Sequence, residues 1–212
     1  MPSRAAAHPV APPVGVILAG GASSRFGSPK GLARVGGARM IDRVAHALRE
    51  AAPELLLVAN DPAAADWLPG VPRIADRLPG GGGLSGVHAA LAHTRRHVVV
   101  VAWDMPFVTG PLLRALWQRC TDAGADACYP ENASPAGMEP FCACYAPSSM
   151  GAIEAALRAG EAGGARVARA LPRPLWMPAA DVRPFGDPAR LLFSVNTPAD
   201  LAHAEAMAAG PM

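Results

Sequence analysis

Four consecutive valines, Val98 to Val101, constrain this chain more than any other segment. With His97 before them and Ala102 after, they form an unbroken β-branched run with no polar alternation. A half-exposed strand would show polar residues at every second position, so this one belongs at the centre of a sheet covered on both faces. The run ends abruptly at Trp103-Asp104-Met105-Pro106, and Gly110 to Arg119 reads as a helix.

The segments before it repeat that logic. Val14 to Leu18 is a buried first strand, and Gly20 to Gly31 the loop after it. Met40 to Ala51 carries Ile41, Val44, Ala45 and Leu48 at helical spacing, and Pro53 stops the helix. Leu55 to Ala59 is a second strand ending at Asn60-Asp61, and Val71 to Ala75 a weaker one leading to Asp76. A loop with four consecutive glycines, Gly80 to Gly83, then leads to a helix over Val87 to Thr94. Strands alternating with helices predict an α/β, Rossmann-like three-layer fold: a mostly parallel central sheet with helices on both faces.

The second half is less regular. Ala127 to Tyr129 and Phe141 to Tyr145 read as strands, and Ser148 to Ala159 as a helix that Gly160 ends. Residues 161 to 190 hold five prolines and little periodicity. Leu191 to Val195 reads as a last short strand, followed by a closing helix over Pro198 to Ala209. There Thr197 is placed to cap the helix, with Pro198 and Asp200 in its first turn. Pro9, Pro12 and Pro13 make residues 1–13 a flexible leader, and residues 14–209 read as a single domain.

Charge and cysteine usage exclude several classes. Lysines and arginines are spread without a basic run, and the net charge is only +2, so nucleic acid is not an implied partner. The longest wholly apolar run, Val98 to Trp103, is far too short for a bilayer. Cys120, Cys128, Cys142 and Cys144 fit neither paired metal knuckles nor a disulfide framework, and Cys142 and Cys144 share one strand face. With no secretion signal evident, a reducing cytoplasm is the expected setting. The histidines form no metal-ligand spacing, and His88 is expected on a helix surface.

Ligands of open α/β sheets bind beyond the carboxyl ends of the strands. Four such ends carry polar or glycine-rich residues here: the loop from Ala19 to Lys30, Asn60, Asp76 with its glycines, and Asp104. The first loop, Leu18-Ala-Gly-Gly-Ala-Ser-Ser-Arg-Phe-Gly-Ser-Pro-Lys30, is neither the P-loop pattern nor the dinucleotide fingerprint. Its glycines allow backbone N–H groups to line an anion, while Arg25 and Lys30 supply positive charge. It is read as wrapping a triphosphate. Asp104, directly after the most hydrophobic strand, needs a cation to offset its desolvation, and Mg²⁺ bridging phosphate oxygens would be that cation. Asp76 is suited to sugar hydroxyls, to capping the glycine turn or to assisting a metal. Asn196, which the capping logic leaves unexplained, is suited to the site itself.

Taken together, these positions resemble the MobA family of molybdenum cofactor guanylyltransferases. The opening pattern is matched by Leu18 to Lys30, the acidic residue and glycine stretch by Asp76 and Gly81 to Gly86. The carboxylate motif appears as Trp103-Asp-Met-Pro106, and the closing motif as Ser194 to Leu201. The likeness runs from about residue 14 to residue 203.

The resemblance implies an enzyme that binds GTP and Mg²⁺ and transfers GMP to molybdopterin, releasing pyrophosphate. It puts nucleotide contacts on Leu18, Ala19, Gly20, Gly21, Lys30, Asn60, Asp76 and Asp104, and Mg²⁺ on Asp104. Arg25, Lys30 and Asp104 would carry catalysis, with Asn196 a contact for the second substrate. Transient contacts with molybdenum cofactor biosynthesis proteins and acceptor molybdoenzymes are implied as well. The alternatives are a cytidylyltransferase acting on molybdopterin, a sugar-phosphate nucleotidyltransferase, and a nucleotide-binding regulator without catalysis. Four positions depart from the family pattern. Trp103 replaces a common cysteine and is expected to reshape the pocket wall. Pro29 removes an acidic neighbour of Lys30. Gly83-Leu84-Ser85 stands where Gly-Pro-Leu-Ala is usual, and Ser194 replaces an asparagine, leaving Asn196 alone.

Overall fold

The computed structural model describes residues 10–20 and 29–210. Nine strands run in chain order: β1 (Val14–Leu18), β2 (Arg34–Val35), β3 (Ala38–Arg39), β4 (Glu54–Val58), β5 (Arg73–Ile74), β6 (Val98–Ala102), β7 (Ala127–Pro130), β8 (Cys142–Tyr145) and β9 (Pro174–Met177). The main helices are α1 (Met40–Ala51), α2 (Gly83–Thr94), α3 (Gly110–Asp122), α4 (Met150–Arg158) and α5 (Gly164–Ala170). Two single turns, α6 (Ala179–Val182) and α7 (Pro188–Leu191), precede the closing helix α8 (Pro198–Ala209).

Seven strands form one sheet in the order β5-β4-β1-β6-β8-β7-β9, and β2 and β3 form a separate hairpin. Every strand of the large sheet runs the same way except β8, which is antiparallel to both β6 and β7. The predicted α/β architecture is therefore present, with its mostly parallel sheet and helices on both faces.

The valine run shows why. Val99 and Val101 enter the core beneath α1 and α3, while Val98 and Val100 enter the core beneath α2, α4 and α5. All four are fully buried, and each contributes about 1.5–3 kcal/mol relative to an exposed side chain. The α1 stripe is likewise buried in full: Ile41, Val44, Ala45 and Leu48 all reach zero exposure. A third, smaller core joins Val35, Met40, Phe107, Val195 and Ala204, and seats α8 against the hairpin.

Three features differ from the sequence expectation. Residues 161–190 are more ordered than their prolines suggest, because α5 and β9 form there and β9 adds a parallel edge to β7. Leu191 to Val195 is not a strand. Asp187 caps the turn that Pro188 opens, accepting the Ala189 N–H at 3.1 Å, and Val195 N–H donates to Asp104 C=O at 2.9 Å instead of joining a ladder. The hairpin β2–β3 turns on Gly36 and Gly37, both at positive φ. Residues 1–9 of the leader lie outside the described residues, whereas Pro12 C=O accepts Arg96 Nη2–H at 2.6 Å.

Candidate active site

The parallel strands β5, β4, β1 and β6 are neighbours in the sheet, so their carboxyl ends open on one edge. That edge carries Asp76, Asn60, Ala19–Gly20 and Asp104. Two backbone bonds hold the strand ends level: Ala19 N–H donates to Val58 C=O at 2.9 Å, and Trp103 N–H donates to Leu18 C=O at 3.2 Å.

On the β4–β5 side, Asn60 and Asp76 bind each other reciprocally. Asn60 Nδ2 donates to Asp76 Oδ2 at 2.8 Å, and Asp76 N–H donates to Asn60 Oδ1 at 2.9 Å. The glycine loop ends at Gly82, whose φ of 56° is the left-handed region that a side chain strains. Gly86, one turn into α2, is a close-approach site: a Cβ there would lie 2.9 Å from Leu18 Cδ2 and 3.8 Å from Asp76 Oδ1. Ser85 Oγ accepts the Gly81 N–H at 3.0 Å, so the altered Gly83-Leu84-Ser85 stretch supplies its own tie.

On the β6 side, Lys30 Nζ donates to Asp104 Oδ2 and to Asn196 Oδ1, the latter at 3.1 Å. The Lys30 and Asp104 side chains are only 15% and 7% exposed. This answers the question raised by Pro29: the acidic partner of Lys30 is Asp104, from a distant strand. Nor is Asn196 alone, since its Nδ2 donates to Ser194 Oγ at 3.1 Å. Asp200 accepts the Asn196 and Thr197 N–H groups at 2.9 and 2.8 Å, and Thr197 Oγ1 accepts the Asp200 N–H, completing the predicted capping box. Burial alone would raise the Asp200 carboxyl, but hydrogen bonds from Asn196 and Thr197 hold it below the usual range.

Trp103 is buried among the described residues. It is 2% exposed, stacks on Trp67 at 4.9 Å between centroids, and lies so close beneath Gly31 that a Cβ there would overlap its ring. The Lys30 turn is therefore seated on the residue that precedes Asp104. His88 is not on a surface either: it is 5% exposed, with Nε2 3.6 Å from Glu154 of α4. All four cysteines are buried and unpaired, and burial pushes the Cys128 thiol up to about 12, well away from reactivity. Gly21 and Arg25 lie outside the described residues.

A further residue reaches this edge that sequence reasoning passed over. β8 runs antiparallel, so the residues just before it meet the carboxyl end of β6. Val101 faces Cys142 and Ala102 N–H donates to Phe141 C=O at 2.8 Å, after which a turn closed by Cys142 N–H on Glu139 C=O at 3.4 Å ends the ladder and Glu139 N–H donates to Pro130 C=O at 3.1 Å. Burial, and secondarily the Asp104 charge, raise the Glu139 carboxyl to about 7. The available signal was an acidic residue immediately before a strand, but its relevance depended on strand direction.

The site also fits a divalent cation. Asp104 Oδ1 is buried and has no hydrogen-bond partner among the described residues, and such an oxygen is a ligand in waiting. No cluster of three or more His, Cys, Asp or Glu residues suited to a metal exists among the described residues, which is consistent with an ion held by one or two carboxylates plus substrate phosphates.

Comparison with known proteins supplies the remaining context. The family model for the MobA-like NTP transferase domain matches residues 15–175. A Pelotomaculum thermopropionicum protein named "Probable molybdenum cofactor guanylyltransferase" is 36% identical over 197 residues, covering 92% of this chain and 92% of that protein. The molybdenum cofactor guanylyltransferase of Rhizobium meliloti is 34% identical, covering 95% and 94% respectively. In structure, molybdopterin-guanine dinucleotide biosynthesis protein A of Archaeoglobus fulgidus superposes with a TM-score of 0.77 at 31% identity, covering 92% of this chain and 97% of that one. The 2-C-methyl-D-erythritol 4-phosphate cytidylyltransferase of Thermus thermophilus shares the fold at a TM-score of 0.66 and 21% identity. With its strand-end polar groups, its Lys30–Asp104 pair and a match extending over most of its length, the chain belongs to the MobA-like NTP transferase family.

Proposed function

We propose that this chain transfers GMP from GTP to molybdopterin, forming the guanine dinucleotide cofactor and releasing pyrophosphate, as a cytoplasmic enzyme with one catalytic domain over residues 14–209. The observation that carries this reading is the convergence of Lys30, Asp104 and Asn196 beside the Asn60–Asp76 pair on one sheet edge. One group is suited to phosphate and the other to a nucleoside. The names GTP and molybdopterin come from the full-length relatives.

The nucleoside would lie over Leu18–Gly20 and the start of α2. There Asp76 Oδ1, above Gly86, can accept a ribose hydroxyl, and Asn60 holds that carboxylate in place. The entering triphosphate competes with Asp104 for the Lys30 ammonium, which is a mobile point charge on a flexible stem. Asp104 would hold Mg²⁺, which when bound neutralises phosphate charge and aligns the phosphate oxygens. Lys30 then follows the negative charge that develops on the departing pyrophosphate. Asn196, anchored by Ser194 and Asp200, presents a fixed amide toward the acceptor phosphate. No protein nucleophile is required: the acceptor phosphate oxygen attacks the α-phosphorus, and the protein contributes alignment and charge.

Pyrophosphate release measured with ATP, GTP, CTP and UTP, with and without molybdopterin, tests the proposal. Release only with GTP and molybdopterin together is the expected result. Release with CTP and molybdopterin, or with a phosphosugar, would replace it with one of the alternative transfers. Tight GTP binding without release in the presence of molybdopterin would make the chain a regulator.

A further inference from the structure

We propose that Phe141 is a positioning residue for the transfer: its ring fixes the glycine loop before α2 at a set distance from the strand end that carries Asp104. The inference rests on the reading of Asp76 with the glycine loop, and of Lys30 with Asp104, as two halves of one nucleotide site. It names what keeps those halves in register.

The backbone of Phe141 belongs to the Asp104 side. Its C=O accepts the Ala102 N–H at 2.8 Å, two residues before Asp104, and its N–H donates to Glu139 Oε1 at 3.1 Å. Strand alternation then decides where the ring goes. Cys142 and Cys144 face the core beneath α1 and α3, so Phe141, with Ala143 and Tyr145, packs on the core beneath α2, α4 and α5.

On that side the ring meets two glycines. A Cβ at Gly83, the first residue of α2, would lie 2.7 Å from Phe141 Cε1 and 2.8 Å from Cζ. A Cβ at Gly164, the first residue of α5, would lie 2.7 Å from Cζ. Real Cβ atoms do not approach so closely, so each helix starts where it does because no side chain stands there. Gly81 is as tight, since a Cβ there would overlap Leu157 of α4, and a Cβ at Gly86 would lie 2.9 Å from Leu18 Cδ2. The loop is thus seated by its glycines on Phe141, Leu157 and Leu18. Two of these three also hold the β6 end through their own C=O groups, Leu18 at Trp103 and Phe141 at Ala102. Leu18 does so from β1 and Phe141 from the opposite flank of β6. A misplacement of about 1 Å away from the chemistry costs about 100-fold in rate. Losing the ring therefore acts on turnover, while Lys30, Asn60 and Asp76 remain to bind the nucleotide.

The test compares Phe141→Ala, Phe141→Leu and Gly83→Ala in the full chain. Hydrogen exchange of the nucleotide-free protein, read by mass spectrometry, is expected to quicken by about 10-fold or more over residues 80–86 in Phe141→Ala and to stay unchanged over residues 98–101. Turnover is expressed per bound GTP, measured by filter binding, so that unfolded protein does not count. It is expected to fall by about 100-fold in Phe141→Ala, with GTP affinity close to that of the wild type. Gly83→Ala should lower it as well, and adding Phe141→Leu should recover part of that loss, because leucine frees the space that the new methyl needs. Wild-type turnover per bound GTP in Phe141→Ala, whatever its melting temperature, would leave a packing residue and overturn the proposal, as would unchanged exchange over residues 80–86. Should Phe141→Ala fail to fold, strict additivity of Gly83→Ala with Phe141→Leu would refute the contact. Should the wild type release no pyrophosphate from GTP with molybdopterin, the transfer reading falls and exchange alone decides. GTP should then slow exchange over both 80–86 and 98–105 in the wild type, but only over 80–86 in Phe141→Ala; the same spread in both proteins would remove the role of Phe141.

Discussion

Replacing Lys30 by methionine isolates the ion pair at the centre of the site. Methionine preserves the length and most of the volume of the side chain but removes the ammonium. Asp104, with a side chain only 7% exposed, would then keep neither its Oδ2 partner nor any partner at Oδ1. Removing one member of a buried pair costs about 3–5 kcal/mol because the other charge is left uncompensated. Lys30 retains 15% side-chain exposure, so water can partly replace it and the lower end of that range applies. For a chain of this size about 3 kcal/mol corresponds to a melting temperature lower by about 6–12 °C. The assay is thermal unfolding by circular dichroism in metal-free buffer for Lys30→Met, Asp104→Asn and the double variant. The double variant should lie well above the sum of the single losses, since asparagine removes the stranded charge. Adding Mg²⁺ should recover part of the Lys30→Met loss through binding to the native state. A Lys30→Met melting point within about 1 °C of wild type, with additive effects in the cycle, would show that the pair is not buried as described.

Other consequences can be checked separately. Asp104→Ala should abolish Mg²⁺-dependent pyrophosphate release while the far-ultraviolet spectrum stays native, and near-normal turnover would refute the metal-holding role. Gly31→Ala should lower both turnover and melting temperature because the new methyl overlaps the Trp103 ring; pairing it with Trp103→Cys should lose less than the two single losses combined, whereas strict additivity would deny the contact. Asp126, 2% exposed, would be raised by burial alone, but hydrogen bonds from Ser148 and Arg173 hold it below the usual carboxylate range. The stability it provides is therefore fully present above that range and is lost progressively as the pH falls from it through the lower range in which the folded-state carboxyl titrates. Asp126→Asn should cost about 1–3 kcal/mol at pH 7 and much less near pH 3 in urea titrations; an equal cost at both would contradict the assignment.

How much of this was legible in the sequence depended on range. The valine run, the α1 stripe and the Thr197–Asp200 cap are local patterns (an unbroken apolar run, a stripe of period 3.6 and a three-residue spacing), and each appears in the structure where the pattern places it. Asn60, Asp76 and Asp104 were locatable because parallel strands send their carboxyl ends to one edge. Pairings across that edge were not. The Lys30–Asp104 contact joins residues 74 apart, and Lys30–Asn196 residues 166 apart. Trp103 was expected to reshape the pocket wall, and its contacts, the stack on Trp67 and the close approach to Gly31, have no local signature in the sequence. Glu139 was passed over because one antiparallel strand reverses which end of a segment meets the edge, and strand direction has no local signature in so short a run. Val195 was expected in a strand because its residue type favours one, but its N–H is used to hold Asp104 C=O.

The most direct test of the central claim follows a radiolabel from [α-³²P]GTP in the presence of molybdopterin and Mg²⁺. The account predicts label in a molybdopterin guanine dinucleotide for the wild type, none above background for Asp104→Ala, and a turnover for Lys30→Ala lower by about 100-fold or more, the scale of losing one preorganised charge contact. Label that stays in GTP with the wild-type protein, or dinucleotide formed at the wild-type rate by Asp104→Ala, would contradict it.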